Sequence, residues 1–263
     1  MGKIEVLVTT MFEKDMSKYE SMNLQTDAII ANQSDECFFV EEKRGESRVR
    51  MITTNTRGAS RNRNIAIMYS SGDLLIFADD DQILVDGYAQ IVEDEFKKCP
   101  NADAIKFYCE STNEKRPLSF KRPIKLHKAS KKELMSAGVH CLAIRKEYLH
   151  KNNISFQLNM GPGENIICGE DTAFFRDLLK CGAKIYVTPT FLSYIDQGES
   201  SWFKGYTEKY FVSVGYVYSR TYGSIARLAI LRRAYRLSGK TDYTFQQMVK
   251  LMNSGMKQQR EKN

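Results

Sequence analysis

No run of about 18 apolar residues occurs anywhere in the 263 residues, so no segment reads as a transmembrane helix. The first residues, MGKIEVLVTTMFEKD, hold too short an apolar run for a secretory leader and read directly as a strand. Cysteines are present at Cys37, Cys99, Cys109, Cys141, Cys168 and Cys181, but no two form a CxxC pair. None stands near a histidine at zinc spacing, so the chain lacks a zinc or dithiol motif. The expectation is six reduced, partly buried thiols of a cytosolic protein.

What is present suits one α/β domain with an appendage, and 263 residues can bury a substantial core. At 42% hydrophobic and 27% charged residues the chain reads as globular, not disordered. Its formal charge of +7 and pI near 9.0 allow nucleic acid, an anionic membrane face or a phosphorylated substrate as partner.

The chain is organised around Gly58 to Gln82, GASRNRNIAIMYSSGDLLIFADDDQ. Ile65, Met68 and Tyr69 recur at helical spacing, and Ser70, Ser71, Gly72 and Asp73 end that helix and turn the chain. Leu74 to Ala78 is a short continuous apolar run, which suits a strand buried on both faces of a mostly parallel sheet. Asp79, Asp80 and Asp81 follow at its carboxyl end, where open α/β sheets place their ligands. Adjacent carboxylates repel, so a buried cluster calls for a cation. Mg²⁺ and Mn²⁺ choose oxygen ligands and bind through one or two carboxylates plus substrate phosphates. Upstream, Arg57, Arg61 and Arg63 stand at a helix start, where free N–H groups and the macrodipole favour an anion. A solvated acidic turn is the bland alternative; the buried strand and the basic helix start argue against it.

These residues resemble the family 2 glycosyltransferases of the GT-A fold. The resemblance rests on Gly58, then Arg63-Asn64, then Gly72-Asp73, then Asp79-Asp80-Asp81, in that order. It implies an α/β domain with a central mixed, mostly parallel sheet flanked by helices. It makes Asp79 and Asp81 the metal-binding Asp-x-Asp pair for Mn²⁺ or Mg²⁺, with Asp79, Asp80 and Arg63 at the donor diphosphate. Thr9 and Thr10, ending the first strand Ile4 to Thr9, inherit contact with the nucleotide base. The family aspartate that pairs with the base has no counterpart here: its place falls to Ala31, beside Asn32. Asn32 then admits two readings, a base contact through its donor and acceptor, or a turn residue closing a strand.

A second cluster follows a glycine loop bearing Gly161, Gly163 and Gly169. Glu170 and Asp171 open a helix carrying Phe174, Phe175, Leu178 and Leu179, and acidic residues there cap helices as a matter of course. The order glycine loop, Gly-Glu-Asp, apolar helix, Gly182, strand Ala183 to Val187, Pro189 resembles the acceptor region of the same family. The resemblance makes Asp171 the catalytic base and Glu170 its orienting neighbour. The implied reaction is a single inverting displacement. A cation on Asp81, with Arg63 or nearby backbone N–H groups, stabilises the leaving diphosphate while Asp171 takes the proton of an attacking hydroxyl.

The remaining segments fill in an order of elements. Met16 to Leu24 reads as a helix, Asp27 to Ala31, Phe38 to Val40, Arg48 to Thr54 and Asp103 to Tyr108 as strands, and Tyr88 to Lys97 as an amphipathic helix. Glu110 to Lys132 holds eight Lys or Arg and reads as a surface loop, with His127 solvated within it. Asp196 stands where many relatives carry a histidine at the metal or diphosphate. Ser200, Ser201 and Trp202 read either as a lid over the donor or as an ordinary surface loop. Ser224 to Leu237 alternates Arg with apolar residues; membrane contact and packing onto the catalytic domain compete as explanations. Residues 256–263 read as a frayed end.

The expected organisation is a GT-A catalytic domain over 1–203, nucleotide-binding to about 108 and acceptor-binding beyond, then a helical extension over 204–263. The expected donor is a nucleotide sugar, more often UDP-linked in the family. The expected acceptor is a glycan or an undecaprenyl-diphosphate-linked oligosaccharide at the cytoplasmic membrane face, in bacterial surface polysaccharide synthesis; nucleic acid is not expected as a partner. A sugar-phosphate nucleotidyltransferase is the first rival, but it has no use for Glu170-Asp171, and a glycine-rich, lysine-bearing loop after the first strand is missing. A non-enzymatic basic binding protein is the second, and it leaves the triple aspartate unexplained.

Overall fold

Asp79 ends its strand beside Thr9, and Thr9 in turn lies beside Ala31, so three parallel strands finish along one edge. The computed structural model from which this follows describes residues 2–196, 198, 203 and 205–261. The strands are β1 (Ile4–Met11), β2 (Asp27–Gln33), β3 (Phe38–Arg44), β4 (Ser47–Thr54), β5 (Leu74–Asp79), β6 (Gln82–Leu84), β7 (Ala104–Ser111), β8 (His127–Lys128), β9 (Leu142–Arg145) and β10 (Ile185–Ile195). The helices are α1 (Lys18–Ser21), α2 (Ala59–Tyr69), α3 (Tyr88–Lys98), α4 (Lys131–Leu134), α5 (Lys146–Lys151), α6 (Glu170–Lys180), α7 (Glu208–Tyr222), α8 (Ala226–Leu237) and α9 (Phe245–Glu261).

The sheet runs β3-β4-β2-β1-β5-β9-β7-β10-β6, with β8 paired to β10. Pairs among β4, β2, β1 and β5 are parallel, as is β7 with β10; β9 enters antiparallel between β5 and β7. Successive residues of a strand face opposite sides. Val6, Val8, Ala28, Ile30, Ile76 and Ala78 therefore pack on one side with α3. Leu7, Ile29, Ala31, Leu75 and Phe77 pack on the other with α2 and α6. That alternation also puts Asp79, the last residue of β5, on the α2 side with Phe77 and Leu75.

Several expected boundaries shift. Only Lys18–Ser21 of the Met16 to Leu24 segment is helical. Pro189 does not stop its strand: β10 continues to Ile195, with register shifts between Val187, Phe191 and Ser193 that absorb the proline. The basic segment 110–132 contains β8, and His127 there is not simply solvated, since its Nε2 lies 3.0 Å from Glu133. The chain end is not frayed from Met256: α9 runs to Glu261, Met256 is buried, and Ser219 donates to Gln259 at 2.9 Å.

α7, α8 and α9 share their own apolar core, from Phe211 and Val214 to Met248 and Met252. α7 and α9 cross at two glycines. A Cβ on Gly215 would fall 1.8 Å from the Met252 carbonyl oxygen, and one on Gly255 would fall 1.9 Å from that of Val212. Backbones approach that closely only where no side chain intervenes. Tyr216 packs on Met160, Ile166 and Ala173, and Arg220 pairs with Asp177 at 2.6 Å, so α7 is fastened to the glycine loop and α6. No helix of the described residues is long and apolar enough to cross a membrane.

Candidate active site

A cleft of about 470 Å³ opens at the carboxyl ends of β1, β2 and β5. Thr9, Thr10, Met11, Phe12, Gln33 and Arg57 line it. So do Asp79, Asp80, Asp81, His140, Glu170 and Asp171, with Arg63, Pro162 and Gly163.

Arg63 is the hub. It sits on the face of α2 that also buries Ser60, Ala66 and Ile67, so helical spacing turns it inward. One guanidinium nitrogen donates to Asp79 Oδ1 at 2.9 Å, and the other to Asp171 Oδ1 at 2.9 Å with Glu170 at 3.6 Å. Its side chain is only 7% exposed. Burial alone would weaken its hold on the proton, but Asp171, Asp79 and Glu170 outweigh that and hold its pKa well above the usual value. Both terminal nitrogens of Arg63 thus face carboxylates, where the sequence reading set this residue at the donor diphosphate. The helix start is committed too: Gly58 N–H donates to Gln33 Oε1 at 2.7 Å, and Ala59 N–H to the Pro162 carbonyl at 3.2 Å.

The three aspartates have three fates. Asp79 shares the α2 side of the sheet and accepts from Arg63 and, at 3.2 Å, from Thr9 Oγ1. Burial works to raise its pKa, but the Arg63 charge prevails and holds it below the usual range. Asp80, one residue on, turns the other way and accepts from Thr10 Oγ1 at 2.6 Å. Asp81 accepts no side-chain hydrogen bond among the described residues. Partial burial, then the charges of Asp79, Asp80 and Asp196, push it up to about 7.

On the far wall, Asp171 Oδ2 accepts from Val139 N–H at 3.2 Å while Oδ1 holds Arg63. Burial raises Asp171, and Arg63 opposes the shift without cancelling it. Glu170 is more enclosed: a Cβ on Gly161 would lie 3.1 Å from its carboxyl carbon. Burial and Asp171 push Glu170 up to about 7.

Asn32 is not in the cleft. It is fully buried; its carbonyl oxygen accepts from Glu13 N–H at 3.1 Å, and its amide donates to Glu13 O at 2.9 Å and Thr53 Oγ1 at 3.0 Å. Strand alternation sends Asn32 to one side and Gln33 to the other, so Gln33 is the side chain of this strand end that lines the cleft. Asn32 is not a turn residue either: it lies within β2, paired with Thr10 and Thr53 on its two sides. Trp202, with Ser200 and Ser201, lies outside the described residues.

Sequence reasoning also missed His140. It stands just before β9, with Nδ1 4.0 Å from Asp79 Oδ2, and its buried Nε2 has no hydrogen-bond partner among the described residues. Burial and the nearby Lys106 push its pKa down to about 3, so the ring is neutral. Lys106, itself fully buried, donates to the His140 carbonyl at 2.5 Å. The only signal was a lone histidine before an apolar strand, which carries no motif.

Residues 26–153 match the family model described as Glycosyl transferase family 2. The chain carries a family 2 glycosyl transferase domain. Comparison with curated proteins found no match. Among solved structures, S. aureus TarS 1–349 in complex with UDP-GlcNAc superposes with a TM-score of 0.63 at 14% identity, covering 83% of this chain and 66% of that one. TarS 1–349 in complex with UDP gives 0.60 at 13% identity, covering 83% of this chain and 65% of that one. A further TarS 1–349 structure gives 0.63 at 10% identity, covering 99% of this chain and 92% of that one. At such identities the likeness is one of fold, and the fold is GT-A. The glycosyl transferase domain puts its carboxylates where that fold opens, at the carboxyl ends of its parallel strands.

Whether a cation suits this domain can be asked of the side chains. Among the described residues no three His, Cys, Asp or Glu side chains form a ready metal cage. Asp81 nevertheless fits a single-carboxylate contact with a hard ion, because its charge is crowded by like charges and, among the described residues, meets no side-chain donor, only its own backbone N–H. Asp79 has one oxygen committed to Arg63 and Thr9.

Proposed function

We propose that the cleft binds a nucleoside-diphosphate sugar and transfers its sugar to a hydroxyl of a glycan or lipid-linked oligosaccharide, inverting the anomeric centre. The observation that carries the donor class is charge. Five carboxylates line the cleft against two arginines, Arg57 and Arg63, and both arginines are already paired. A diphosphate entering such a site needs a counter-cation, and Asp81 is the carboxylate left to receive it. Mg²⁺ or Mn²⁺ bound there would stabilise the leaving diphosphate, the usual service of a divalent ion in such a site. The fold likeness to structures holding UDP and UDP-GlcNAc supports a UDP-linked donor.

The chain's own residues take the remaining roles. The nucleoside lies at the Thr9, Thr10, Phe12 and Gln33 end, where Arg57 already stacks 5.2 Å from the centre of the Phe12 ring. The sugar then reaches Asp79, and the acceptor enters past Gly163 toward Asp171. Asp171 is the base. Its two oxygens are aimed by Arg63 and by Val139 N–H, and its raised pKa makes it a better proton acceptor than a solvated aspartate. Glu170, packed against Gly161, holds Arg63 and Asp171 in register. A role in surface polysaccharide synthesis follows the resemblance and not the cleft.

The test is a donor screen with Mg²⁺ or Mn²⁺ that reads released nucleoside diphosphate and, separately, pyrophosphate. Diphosphate release dependent on an added glycan hydroxyl supports the reading. Release of pyrophosphate from a nucleotide and a sugar phosphate would replace it with nucleotidyl transfer.

A further inference from the structure

α8 is packed on one side only. Ala226, Ile230, Ala234 and Leu237 are buried against the other C-terminal helices. On the outer side Leu228 is 68% exposed, Leu231 43% and Tyr235 75%. At about 100° per residue these three fall within an arc of roughly 60°. Arg227 borders the stripe on one side, and Arg232 and Arg236 on the other. No Asp or Glu occurs between Lys209 and Thr241.

A second segment far away in sequence has the same character. Ile124 is 97% exposed and is flanked by Arg122, Pro123 and Lys125. The hollow around it is lined by Lys121, Arg122, Lys125 and Lys132. Lys132 also lines the hollow beside α8, together with Leu228, Arg232 and Arg236. The two basic, apolar-tipped segments therefore meet at one lysine and form one face.

We propose that this composite face, the Ile124 loop and the outer side of α8, seats the protein on a membrane surface rich in anionic lipid headgroups. The apolar residues sink into the interface and the flanking Lys and Arg meet the headgroup charges. A soluble polyanion would use the arginines but leaves Ile124, Leu228 and Tyr235 without a role. A second copy would bring the same positive charge to the same face, so a two-fold pairing there repels itself. The inference rests on this face alone and not on the donor chemistry, so it stands or falls apart from the proposed reaction.

The experiment is flotation of the full chain with neutral phosphatidylcholine vesicles and with vesicles that also contain phosphatidylglycerol, at low and high salt. The positions are exposed, so variants keep the fold, which circular dichroism checks. The expected result is binding to anionic vesicles at least about tenfold tighter than to neutral ones, weakened by salt. Arg232→Glu with Arg236→Glu lowers it about tenfold or more. Leu228→Ser with Tyr235→Ser lowers it too, and Ile124→Ser lowers it by about threefold. Equal binding to both vesicle types overturns the proposal. So does retention of binding in the apolar variants combined with displacement by inorganic polyphosphate, which marks a soluble-polyanion site. Self-association abolished by Leu228→Ser assigns the face to a second copy instead. Full binding by Ile124→Ser removes the loop and overturns the composite face.

Discussion

The carboxyl end of β5 and the first turn of α6 are both acidic and both reach Arg63, yet they are built differently. At the end of β5 the turn splits the triplet: Asp79 goes to Arg63, Asp80 to Thr10, and Asp81 to nothing among the described side chains. On α6, Glu170 and Asp171 are neighbours on a helix start, and both turn toward the same guanidinium. One side keeps a carboxylate unmatched; the other keeps both matched and aimed. Under the proposed reaction, the first side would receive positive charge and the second a proton.

The harshest way to break that comparison is to remove what the two sides share. Arg63→Met leaves Asp79, Glu170 and Asp171 crowded without their cation, and stability falls by about 3 kcal/mol or more in urea unfolding. Turnover should vanish with it. A variant of normal stability would show that the carboxylates are not held through Arg63.

Asp171→Asn acts on the helix side alone. It keeps size and one acceptor for Val139 N–H, so the fold survives, while turnover drops by about 10²–10⁴-fold. Donor affinity by calorimetry stays near normal. Transfer at the normal rate would reduce Asp171 to a helix-start charge and move the base elsewhere.

Asp81→Asn acts on the strand side alone. Donor affinity in Mn²⁺ or Mg²⁺ should fall by about 10-fold or more, while binding in EDTA, already weak, changes little. pH gives a second readout. The folded-state value near 7 lies above the ordinary 3.8, so the folded protein binds the extra proton and ionising Asp81 works against folding. Its contribution to stability is therefore lost as pH rises from about 4 through 7, and the Asn variant loses that slope. An identical pH profile in the two proteins would remove the crowding argument.

Asn32→Ala gives the smallest effect. It strips buried partners from Glu13 and Thr53, at a cost of about 1–3 kcal/mol in stability, with donor KM within a few-fold of normal. A large rise in KM alone would return Asn32 to the donor site.

Much of the fold could be read from the chain because its signals are local. The apolar run Leu74 to Ala78, the turn before it and the helical spacing of Phe174, Phe175 and Leu178 each specify an element within a few residues. Where signals conflict locally, the reading failed. Pro189 reads as a stop but sits in a bulged stretch of β10, and the last residues read as frayed although Met256 and Gln259 are buried against α7.

By itself the sequence determined which residues carry charge, their order along the chain, and the apolar run that ends at Asp79. Those are properties of neighbours; the directions of Asp80 and Asp81, in the turn after β5, are not among them. Only tertiary structure decided that Arg63 faces inward to three carboxylates from two distant segments, and that His140 comes to rest beside Asp79. It alone joined the Ile124 loop to α8 at Lys132. Those pairings depend on how separate elements pack. The low-dielectric interior then sets their strength, and no residue carries that information alone.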